Sequence, residues 1–520
     1  MKKRIIAALT GALVLLSSCS GTVEVKNGTG KIRKNDSSPI SAHAIEAPMP
    51  AIPAGLEKFY SQKPAWKECG HGLDCATVTV PLNYADPEGA AIELKIKRRK
   101  AEGTRIGSLL VNPGGPGGSG QEMAESAPQF FTDRITDSFD IIGFDPRGVG
   151  ESTPIDCVTD RELDQVLSTV YADTPEGQAQ SRASEVELAN KCVEKSGNLV
   201  KYVGTEEAAR DMDVLRHLMG DPKLYYVGFS YGTKLGGMYA ELFPHNVGRL
   251  ILDGAVDSDV SDFEQSKAQL KGFELAANNF IDKCLTSETC PFKGTRDEAR
   301  EEIRQMFEKA ADKPIPTANP ERPLTQAGLM LGFITPLYDD SSWPLLTQAI
   351  DEYKTAGTGN AFQVFFDAYT GRDPQGHYKN NSIESHIAIN CADSTIEGTP
   401  EDWDRMSKEL EEASPLFGKS QRYSQTTCAT MPKPEHPLVK RFVAEGSDPI
   451  VVVGTIGDPA TPYEWAVAFQ KAFANSTLVT WEGEGHTAYG RAGKCIKDAL
   501  DAYLLNGKVP EKDLRCPVEK

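Results

Sequence analysis

One pentapeptide in this 520-residue chain places a serine in a setting suited to nucleophilic catalysis. Residues Gly228–Gly232 read Gly-Phe-Ser-Tyr-Gly, after the apolar run Leu224–Val227 and before a stretch of helical character, Thr233–Leu242. Glycines on both sides of a serine permit a tight strand-to-helix turn that holds the serine in a strained conformation, exposed to substrate. The pattern predicts Ser230 as a nucleophile, although a five-residue motif with three fixed positions also recurs by chance.

A serine nucleophile needs a histidine to accept its proton and a carboxylate to orient that histidine. In α/β-hydrolases, which use this turn, the chain order is Ser, then Asp or Glu, then His, in loops at the carboxyl ends of strands. His486 is the histidine that follows the last predicted strand, Thr477–Trp481, and we predict it as the base. The other histidines precede the sheet, flank the elbow or lie between the two halves of the sheet: His43, His71, His217, His245, His377, His386 and His436.

The orienting acid is expected in the loop after the predicted strand Ile450–Gly454, where Asp458 lies. Asp448 stands at the opposite end of that strand, and Glu464 already falls in the next helix. The Asp-Pro and Thr-Pro steps around Asp458 would also suit a simple turn or a helix cap. Chain order favours Asp458 as the acid.

An oxyanion hole requires backbone N–H groups close to the nucleophile. The amide of Tyr231, the residue after the nucleophile, is one expected donor. The loop Asn112–Gly120, Asn-Pro-Gly-Gly-Pro-Gly-Gly-Ser-Gly, follows another apolar strand, and its few side chains let backbone approach a substrate oxygen. The second donor is predicted near Gly115 or Gly117, without a choice between them.

The same loop contains a literal match to the dinucleotide fingerprint G-x-G-x-x-G at Gly115–Gly120, with Asp140 and Asp145 at a distance suited to a ribose contact. Three observations weigh against it: the glycine-rich run continues before the fingerprint, the chain has an export signal, and the ordered Ser, Asp and His residues would be accidental. We therefore expect no cofactor.

Short apolar strands alternate with helical stretches over residues 61–256, and the alternation resumes over residues 449–520. Strands buried on both faces and separated by helices predict a mostly parallel sheet, so the expected class is an α/β-hydrolase fold. Residues 257–448 between these parts are largely helical and polar. We interpret them as an inserted cap domain; the alternative is two unrelated domains in series.

The amino terminus has the organisation of a bacterial export signal. Basic Lys2–Arg4 precedes the apolar stretch Ile5–Leu16, which is too short to span a bilayer as a mature helix. The sequence Leu-Ser-Ser-Cys ending at Cys19 is similar to a lipobox, which predicts a signal peptide over residues 1–18 and lipidation of Cys19. The protein would then be anchored on the outer face of the cell membrane, or shed from it; the alternative is an ordinary cleaved signal. Residues 19–60 are predicted as a flexible tether.

Ten further cysteines form an even set, which in an exported chain suggests disulfide bonds. Sequence alone does not fix the pairing. Pairing of nearest neighbours closes only local loops and is our working hypothesis: Cys69–Cys75, Cys157–Cys192, Cys284–Cys290, Cys391–Cys428 and Cys495–Cys516. The chain contains no Cys-x-x-Cys and no histidine at ligand spacing to a cysteine pair, so we expect no metal site.

Composition bounds the partners. The chain is 39% hydrophobic and 25% charged, as in globular proteins, and its net charge is −18. Nucleic-acid binding needs clustered basic residues, so this balance argues against such a partner. We expect a monomer whose partners are peptide substrates and, through the lipid, the membrane.

Several motifs together resemble the secreted tripeptidyl aminopeptidases of actinobacteria, relatives of proline iminopeptidase with an α/β-hydrolase fold. They are the glycine-rich loop, Gly143–Gly148 (Gly-Phe-Asp-Pro-Arg-Gly), the serine elbow, Gly-Asp-Pro-Ala-Thr-Pro around Asp458, Gly-His at His486, and Ala388–Asp393 (Ala-Ile-Asn-Cys-Ala-Asp). The resemblance covers nearly the whole mature body. It implies that Ser230, Asp458 and His486 act as nucleophile, acid and base in removing short peptides, often tripeptides, from free N-termini.

An aminopeptidase must recognise a free ammonium group at a fixed distance from the scissile bond. A carboxylate in the cap would do this, and Asp393 and Glu384 are the candidates; Cys391 would pin the Asp393 segment if it bonded to Cys428. An ordinary solvated carboxylate is the alternative for each.

Two other functions fit the same sequence. A carboxylesterase or lipase needs the same three residues, although a polar, cysteine-bearing cap disfavours a lipase. A non-catalytic lipoprotein that binds peptides is the third possibility, against which the complete set of catalytic residues counts. Ser230 in place of Asp at the elbow disfavours a haloalkane dehalogenase or an epoxide hydrolase.

Overall fold

A computed structural model describes residues 40–436 and 438–519, and a ten-stranded sheet forms its centre. The strands lie in the order β1-β2-β3-β5-β4-β6-β7-β8-β9-β10. β1, β2 and β3 are antiparallel to their neighbours, and all pairs from β5 to β10 are parallel. The predicted class, an α/β fold with a mostly parallel sheet, is confirmed. The strands are β1 (Lys67–Glu68), β2 (Leu73–Pro81), β3 (Ala91–Arg99), β4 (Gly107–Asn112), β5 (Phe139–Phe144), β6 (Leu224–Phe229), β7 (Val247–Asp253), β8 (Ile450–Gly457), β9 (Ser476–Glu484) and β10 (Leu514–Cys516).

Helices flank both faces of this sheet and fill the region between β7 and β8. The α-helices of the described residues are α1 (Glu57–Tyr60), α2 (Gly120–Glu125), α3 (Ala127–Phe130), α4 (Asp133–Ser138), α5 (Asp160–Ser168), α6 (Pro175–Ser196), α7 (Thr205–Leu218), α8 (Tyr231–Leu242), α9 (Asp262–Leu285), α10 (Arg296–Asp312), α11 (Gln326–Ile334), α12 (Trp343–Ala356), α13 (Asn360–Thr370), α14 (Ser382–Ala392), α15 (Pro400–Ala413), α16 (Ser424–Thr430), α17 (Tyr463–Ala472) and α18 (Lys494–Asn506).

The central strands are buried on both faces because alternate side chains point to opposite sides of the sheet. Every residue of β4, β5, β6 and β7 is buried. Leu110 packs on one face in the cluster that includes α7 and α8, whereas Leu109 and Val111 pack on the other with α18. Each such aliphatic side chain contributes roughly 1.5–3 kcal/mol on burial, so these strands form a rigid platform.

Strand register brings the loops of interest to one edge of the sheet. Asn112 at the end of β4 pairs with Gly228 of β6, and Phe229 pairs with Asp253 at the end of β7. Asp253 in turn pairs with Val453 of β8. Because the carboxyl ends of parallel strands meet at the same edge, the glycine-rich loop, the elbow and the loops after β8 and β9 are neighbours.

The segment between β7 and β8 runs from residue 254 to residue 449, although the two strands are adjacent in the sheet. Most of its helices share a hydrophobic cluster of their own, built by α9 to α13 and α15. Helix α14 differs, because its Ala388, Ile389 and Cys391 belong to the cluster of the central sheet. This helix therefore packs as part of the core.

All five predicted disulfide pairs are confirmed: Cys69–Cys75, Cys157–Cys192, Cys284–Cys290, Cys391–Cys428 and Cys495–Cys516. The fourth joins α14 to α16, so the Asp393 segment is pinned as expected.

The predicted tether is too long at its carboxyl end. His43 donates its backbone N–H to the Leu505 carbonyl at 2.8 Å, and the N–H of Ile45 bonds the Tyr225 hydroxyl at 2.7 Å. Tyr60 is buried and bonds Asp213. Residues 40–60 are thus fixed to the core. The predicted signal peptide, Cys19 and the first part of the tether lie outside the described residues.

Candidate active site

The turn at Ser230 has the geometry of a nucleophile elbow. Ser230 has φ 55° and ψ −124°, a conformation that side-chain-bearing residues rarely adopt. A Cβ on Gly228 would overlap the Gly232 carbonyl, and one on Gly232 would lie 2.9 Å from the Asn112 carbonyl oxygen. The two glycines are therefore required by close backbone approach, as the motif predicts.

Backbone contacts fix this strained serine. The Ser230 N–H donates to the Asp253 carbonyl at 2.9 Å, and the Ser230 carbonyl accepts the N–H of Thr233 at 2.8 Å in the first turn of α8. The hydroxyl of Tyr226 donates to the Gly232 carbonyl at 2.8 Å. The elbow is thus held from β7, from its own helix and from its own strand.

The structure brings Asp458 and His486 into direct contact. Nδ1 of His486 lies 2.9 Å from Oδ1 and 3.0 Å from Oδ2 of Asp458. Asp458 is buried, and its carboxylate also accepts the amides of Ala460, Thr461 and Thr487 at 2.9, 2.8 and 3.1 Å. A carboxylate only accepts hydrogen bonds, so Nδ1 carries the hydrogen and Nε2 is left with a lone pair.

His486 is seated from the side of the insertion and from the side of β7. Its N–H donates to the Tyr338 carbonyl at 2.7 Å, and the Tyr338 ring stands edge-on with centroids 5.7 Å apart. A Cβ on Gly254 would lie 3.3 Å from Cε1 of His486. Since Asp253 immediately before it holds the Ser230 N–H, this short stretch adjoins both the serine elbow and the imidazole. Thr461 Oγ1 also lies 3.3 Å from Nδ1.

Sequence analysis missed a role for the Asp253 side chain. Its carboxylate is fully buried and accepts the Ala488 amide at 3.0 Å and the Tyr489 amide at 2.7 Å, just after His486. Burial raises the pKa of Asp253 to about 6, and these backbone bonds oppose the rise. A carboxylate that ends a wholly apolar strand was the available signal.

The glycine-rich loop presses directly on the elbow. A Cβ on Gly114 would overlap the Phe229 carbonyl and lie 2.8 Å from Cβ of Ser230. The N–H of Gly118 is already bonded to the Gly114 carbonyl at 3.0 Å. Within the described residues no acceptor is recorded for the amides of Gly115, Gly117 or Tyr231. The predicted oxyanion donors therefore lie on the loop that touches the nucleophile, and their role stays a prediction.

Both carboxylates of the dinucleotide alternative have internal partners. Asp145 bonds Ser119 at 2.5 Å and Gln121 at 2.7 Å, and Asp140 bonds the Ala101 amide and Arg105, each at 2.9 Å. Burial raises the pKa of Asp145. These contacts brace the loops after β4 and β5 and favour a structural role.

The two residues predicted to bind a substrate ammonium also have partners inside the protein. Glu384 accepts the amides of Cys157 and Val158 at 2.7 and 2.9 Å. Asp393 accepts the Thr205 amide and the Lys234 ammonium, each at 2.8 Å, and the Thr205 hydroxyl. These bonds dock both ends of α14 on the core and count against the predicted ammonium site.

Searches for other kinds of site concern the described residues alone. There, no group of three or more His, Cys, Asp or Glu side chains is placed to hold a metal ion. In the same ranges, no helix is both long enough and apolar enough to cross a membrane.

The parallel sheet, the serine elbow and the Asp–His pair beyond it define an α/β-hydrolase. Comparison with known families agrees: residues 107–296 match a family described as "alpha/beta hydrolase fold", and residues 414–516 match one described as "TAP-like protein".

Full-length relatives narrow the class. The chain is 36% identical to serine protease Hip1 of Mycobacterium tuberculosis over 472 residues, covering 88% of this chain and 89% of the relative. It is 32% identical to the tripeptidyl aminopeptidase of Streptomyces lividans over 481 residues, covering 87% and 86%. Carboxylesterase B of M. tuberculosis is 35% identical over 449 residues, covering 85% and 86%. The chain belongs to the tripeptidyl aminopeptidase family of α/β-hydrolases, as its motifs predict, and is a serine hydrolase.

Proposed function

We propose that this protein is an exported serine exopeptidase that releases short peptides, tripeptides among them, from free N-termini. The observation that carries the proposal is the Asp458–His486 pair, with Nδ1 2.9 Å from Oδ1, beside the Ser230 elbow. Relatives named serine protease and tripeptidyl aminopeptidase support the peptidase class.

In the proposed reaction, Ser230 Oγ attacks the carbonyl carbon of the scissile peptide bond while Nε2 of His486 takes its proton. Asp458 holds the imidazole in the required tautomer and stabilises the imidazolium that forms. The carbonyl oxygen becomes an oxyanion, which the amides of Tyr231 and of Gly115 or Gly117 would stabilise. The imidazolium then protonates the leaving amine, and the C–N bond breaks.

The remaining acyl-enzyme is an ester between Ser230 and the released N-terminal peptide. Water attacks this ester with His486 again as the base, and the proton returns to Ser230 Oγ when the ester bond breaks. One water molecule is consumed per bond cut, and no cofactor takes part.

Exopeptidase action is supported by where the insertion lies. Helix α14 rests on the glycine-rich loop, and the Tyr338 carbonyl binds the backbone of His486. The insertion therefore covers the carboxyl edge of the sheet on two sides of the proposed triad, which would admit a chain end more readily than the middle of a folded protein.

A carboxylesterase is the second candidate, because a relative of 35% identity bears that name. Both reactions use the same residues, so discrimination depends on the acyl group and the leaving group. Hydrolysis of p-nitrophenyl esters without release of peptides from free N-termini would favour the esterase.

Export is proposed from the amino-terminal sequence and from the five disulfides, which persist in oxidising compartments. Lipidation at Cys19 would anchor the protein to the membrane. Metabolic labelling with an alkynyl fatty acid, with Cys19→Ser as control, tests this step separately from catalysis.

The test of activity is digestion of a peptide library by the wild-type protein and by Ser230→Ala, with products identified by mass spectrometry. Each peptide is supplied with a free and with an acetylated N-terminus. We expect N-terminal fragments of uniform length from free peptides with the wild type alone. Cleavage at internal sites regardless of acetylation, or equal cleavage by Ser230→Ala, would contradict the proposal.

A further inference from the structure

His386 lies on α14 where this helix meets the glycine-rich loop. Its Nδ1 is 3.3 Å from the carbonyl oxygen of Pro116, and its Nε2 is 3.0 Å from Nδ2 of Asn390. An amide nitrogen donates, so Nε2 accepts from Asn390 and Nδ1 carries the hydrogen. The ring therefore donates to the Pro116 carbonyl, and the Gly115 carbonyl is a further backbone acceptor for it.

The loop is held between α14 and the elbow. A Cβ on Gly117 would lie 2.5 Å from the Ser382 carbonyl oxygen and 2.8 Å from the Ser385 hydroxyl, both on α14. On the other side Gly114 abuts Ser230. Side-chain-free positions at both contacts let the loop fit this narrow space.

Helix α14 is itself a fixed support. Asn381, immediately before it, donates to the carbonyls of Gly148 and Ile155, each at 2.8 Å. The Cys391–Cys428 disulfide fixes its other end. A hydrogen bond from this helix to the loop therefore restrains the loop relative to the core.

The position of the bond decides its consequence. The Pro116 carbonyl and the Gly117 N–H belong to one planar peptide unit, in which the two groups point in opposite directions. A donor on the α14 side of the carbonyl turns the Gly117 N–H away from α14. The same donor polarises the peptide unit, which makes the N–H a stronger hydrogen-bond donor.

We propose that His386 is a positioning residue that orients and polarises the Gly117 amide as an oxyanion donor. The inference deepens the proposed function and rests on it. It selects Gly117 over Gly115, a choice that the sequence leaves open. His386 is exposed, so its replacement leaves no cavity in the core.

The experiment compares His386→Leu, which has no donor, with His386→Asn, whose side-chain amide can place an N–H close to where Nδ1 stands. His377→Leu is the matched control, because His377 is an exposed histidine of the same insertion that contacts Asp160. Steady-state kinetics use a p-nitrophenyl ester and a tripeptide anilide, and melting temperatures monitor folding.

An oxyanion donor acts mainly in the transition state, so we expect a lower kcat at nearly constant KM. Removal of a donor itself typically costs about 100- to 1,000-fold in kcat, and we expect about 10-fold for His386→Leu because the Gly117 amide remains in place. His386→Asn should recover most of the loss, and His377→Leu should match the wild type. Binding of a peptidyl trifluoromethyl ketone, whose adduct carries the oxyanion, should weaken by a factor similar to the loss of kcat/KM.

The outcomes separate the two proposals. Wild-type turnover that is unchanged in Ser230→Ala overturns the proposed function and this inference with it. Ser230-dependent turnover that His386→Leu leaves unchanged overturns this inference alone. A raised KM for the anilide with an unchanged ester kcat also overturns it, since His386 would then contact substrate. If His386→Leu fails to fold, equal ketone affinity of His386→Asn and Ser385→Ala relative to wild type would support the inference, and a 10-fold loss in Asn alone would overturn it.

Discussion

The carbonyl oxygen of Asp253 accepts the N–H of Ser230 at 2.9 Å, while the carboxylate of Asp253 accepts the amides of Ala488 and Tyr489. The end of β7 therefore holds the backbone of the elbow and the backbone just beyond His486. The spacing between the proposed nucleophile and base is set by a residue outside the triad.

Asp253→Asn is expected to lower both the melting temperature and kcat. An amide side chain has one acceptor oxygen, so its NH₂ group would face a backbone N–H in the loop after His486. Loss of a hydrogen bond to a charged group costs about 1.5–3 kcal/mol. Asp221→Asn is the control: this buried carboxylate accepts the Ser108 amide at the opposite end of the strands. It should lower the melting temperature and spare kcat; equal kcat in both variants would contradict the role of Asp253.

Asp458→Asn should leave the fold intact and lower kcat by about 10⁴-fold, because an amide in this place favours the wrong imidazole tautomer. Asp448→Asn serves as the control, since Asp448 binds Lys223 at 2.6 Å at the other end of β8. Steady-state hydrolysis of a tripeptide anilide measures the difference. A loss of less than about 10-fold for Asp458→Asn would remove Asp458 from the triad.

Gly114→Ala should abolish most activity because the new methyl group meets Ser230 Cβ and the Phe229 carbonyl. Part of any effect would come from φ of +93°, which is unfavourable for alanine. Gly220→Ala isolates that part, since Gly220 has φ +80° and no atom within 4 Å of its hypothetical Cβ. Both variants should lose stability, by roughly 1–2 kcal/mol for the backbone strain. Similar activity in the two variants would show that the contact with the elbow is dispensable.

Glu185 on α6 makes stability depend on pH. Burial raises its pKa to about 7, and Thr427 of α16 donates to its carboxylate. The folded-state pKa lies above that of the unfolded chain, so the stabilising contribution is present below about pH 4.5 and is lost as the pH rises through 7.

Glu185→Gln stays neutral and keeps an acceptor for Thr427. Its melting temperature should therefore exceed that of the wild type increasingly between pH 5 and pH 8. Glu187→Gln, an exposed position on the same helix that pairs with Lys191, should show no such trend. A constant difference between Glu185→Gln and wild type across this range would refute the assignment.

Most of the platform was predictable from sequence because its strands carry unbroken apolar runs. β4, β5 and β7 begin and end at the predicted residues. β1 and β10 were not predicted, since two or three residues carry no periodic pattern and their pairing depends on distant partners. Residues 40–56 also escaped prediction, because their hydrogen bonds to Leu505 and Tyr225 join residues far apart in sequence.

The candidate site divides in the same way. Chain order alone identified Asp458 and His486, which the structure joins by a hydrogen bond. The contacts of Asp253, His386 and Asp393 could not be foreseen, because each depends on which loops the sheet brings together. For Asp393, the charge suggested a substrate contact, and the structure gives it Lys234 instead.

The five disulfides occupy separate, consecutive stretches of the chain, and the longest spans 37 residues. No bond encloses or crosses another. An oxidant that joins each cysteine to the previous unpaired one, as the chain emerges from its amino terminus, would therefore produce the native set directly. Oxidative folding of these residues requires no isomerase to exchange partners, and the order of synthesis alone specifies the covalent framework.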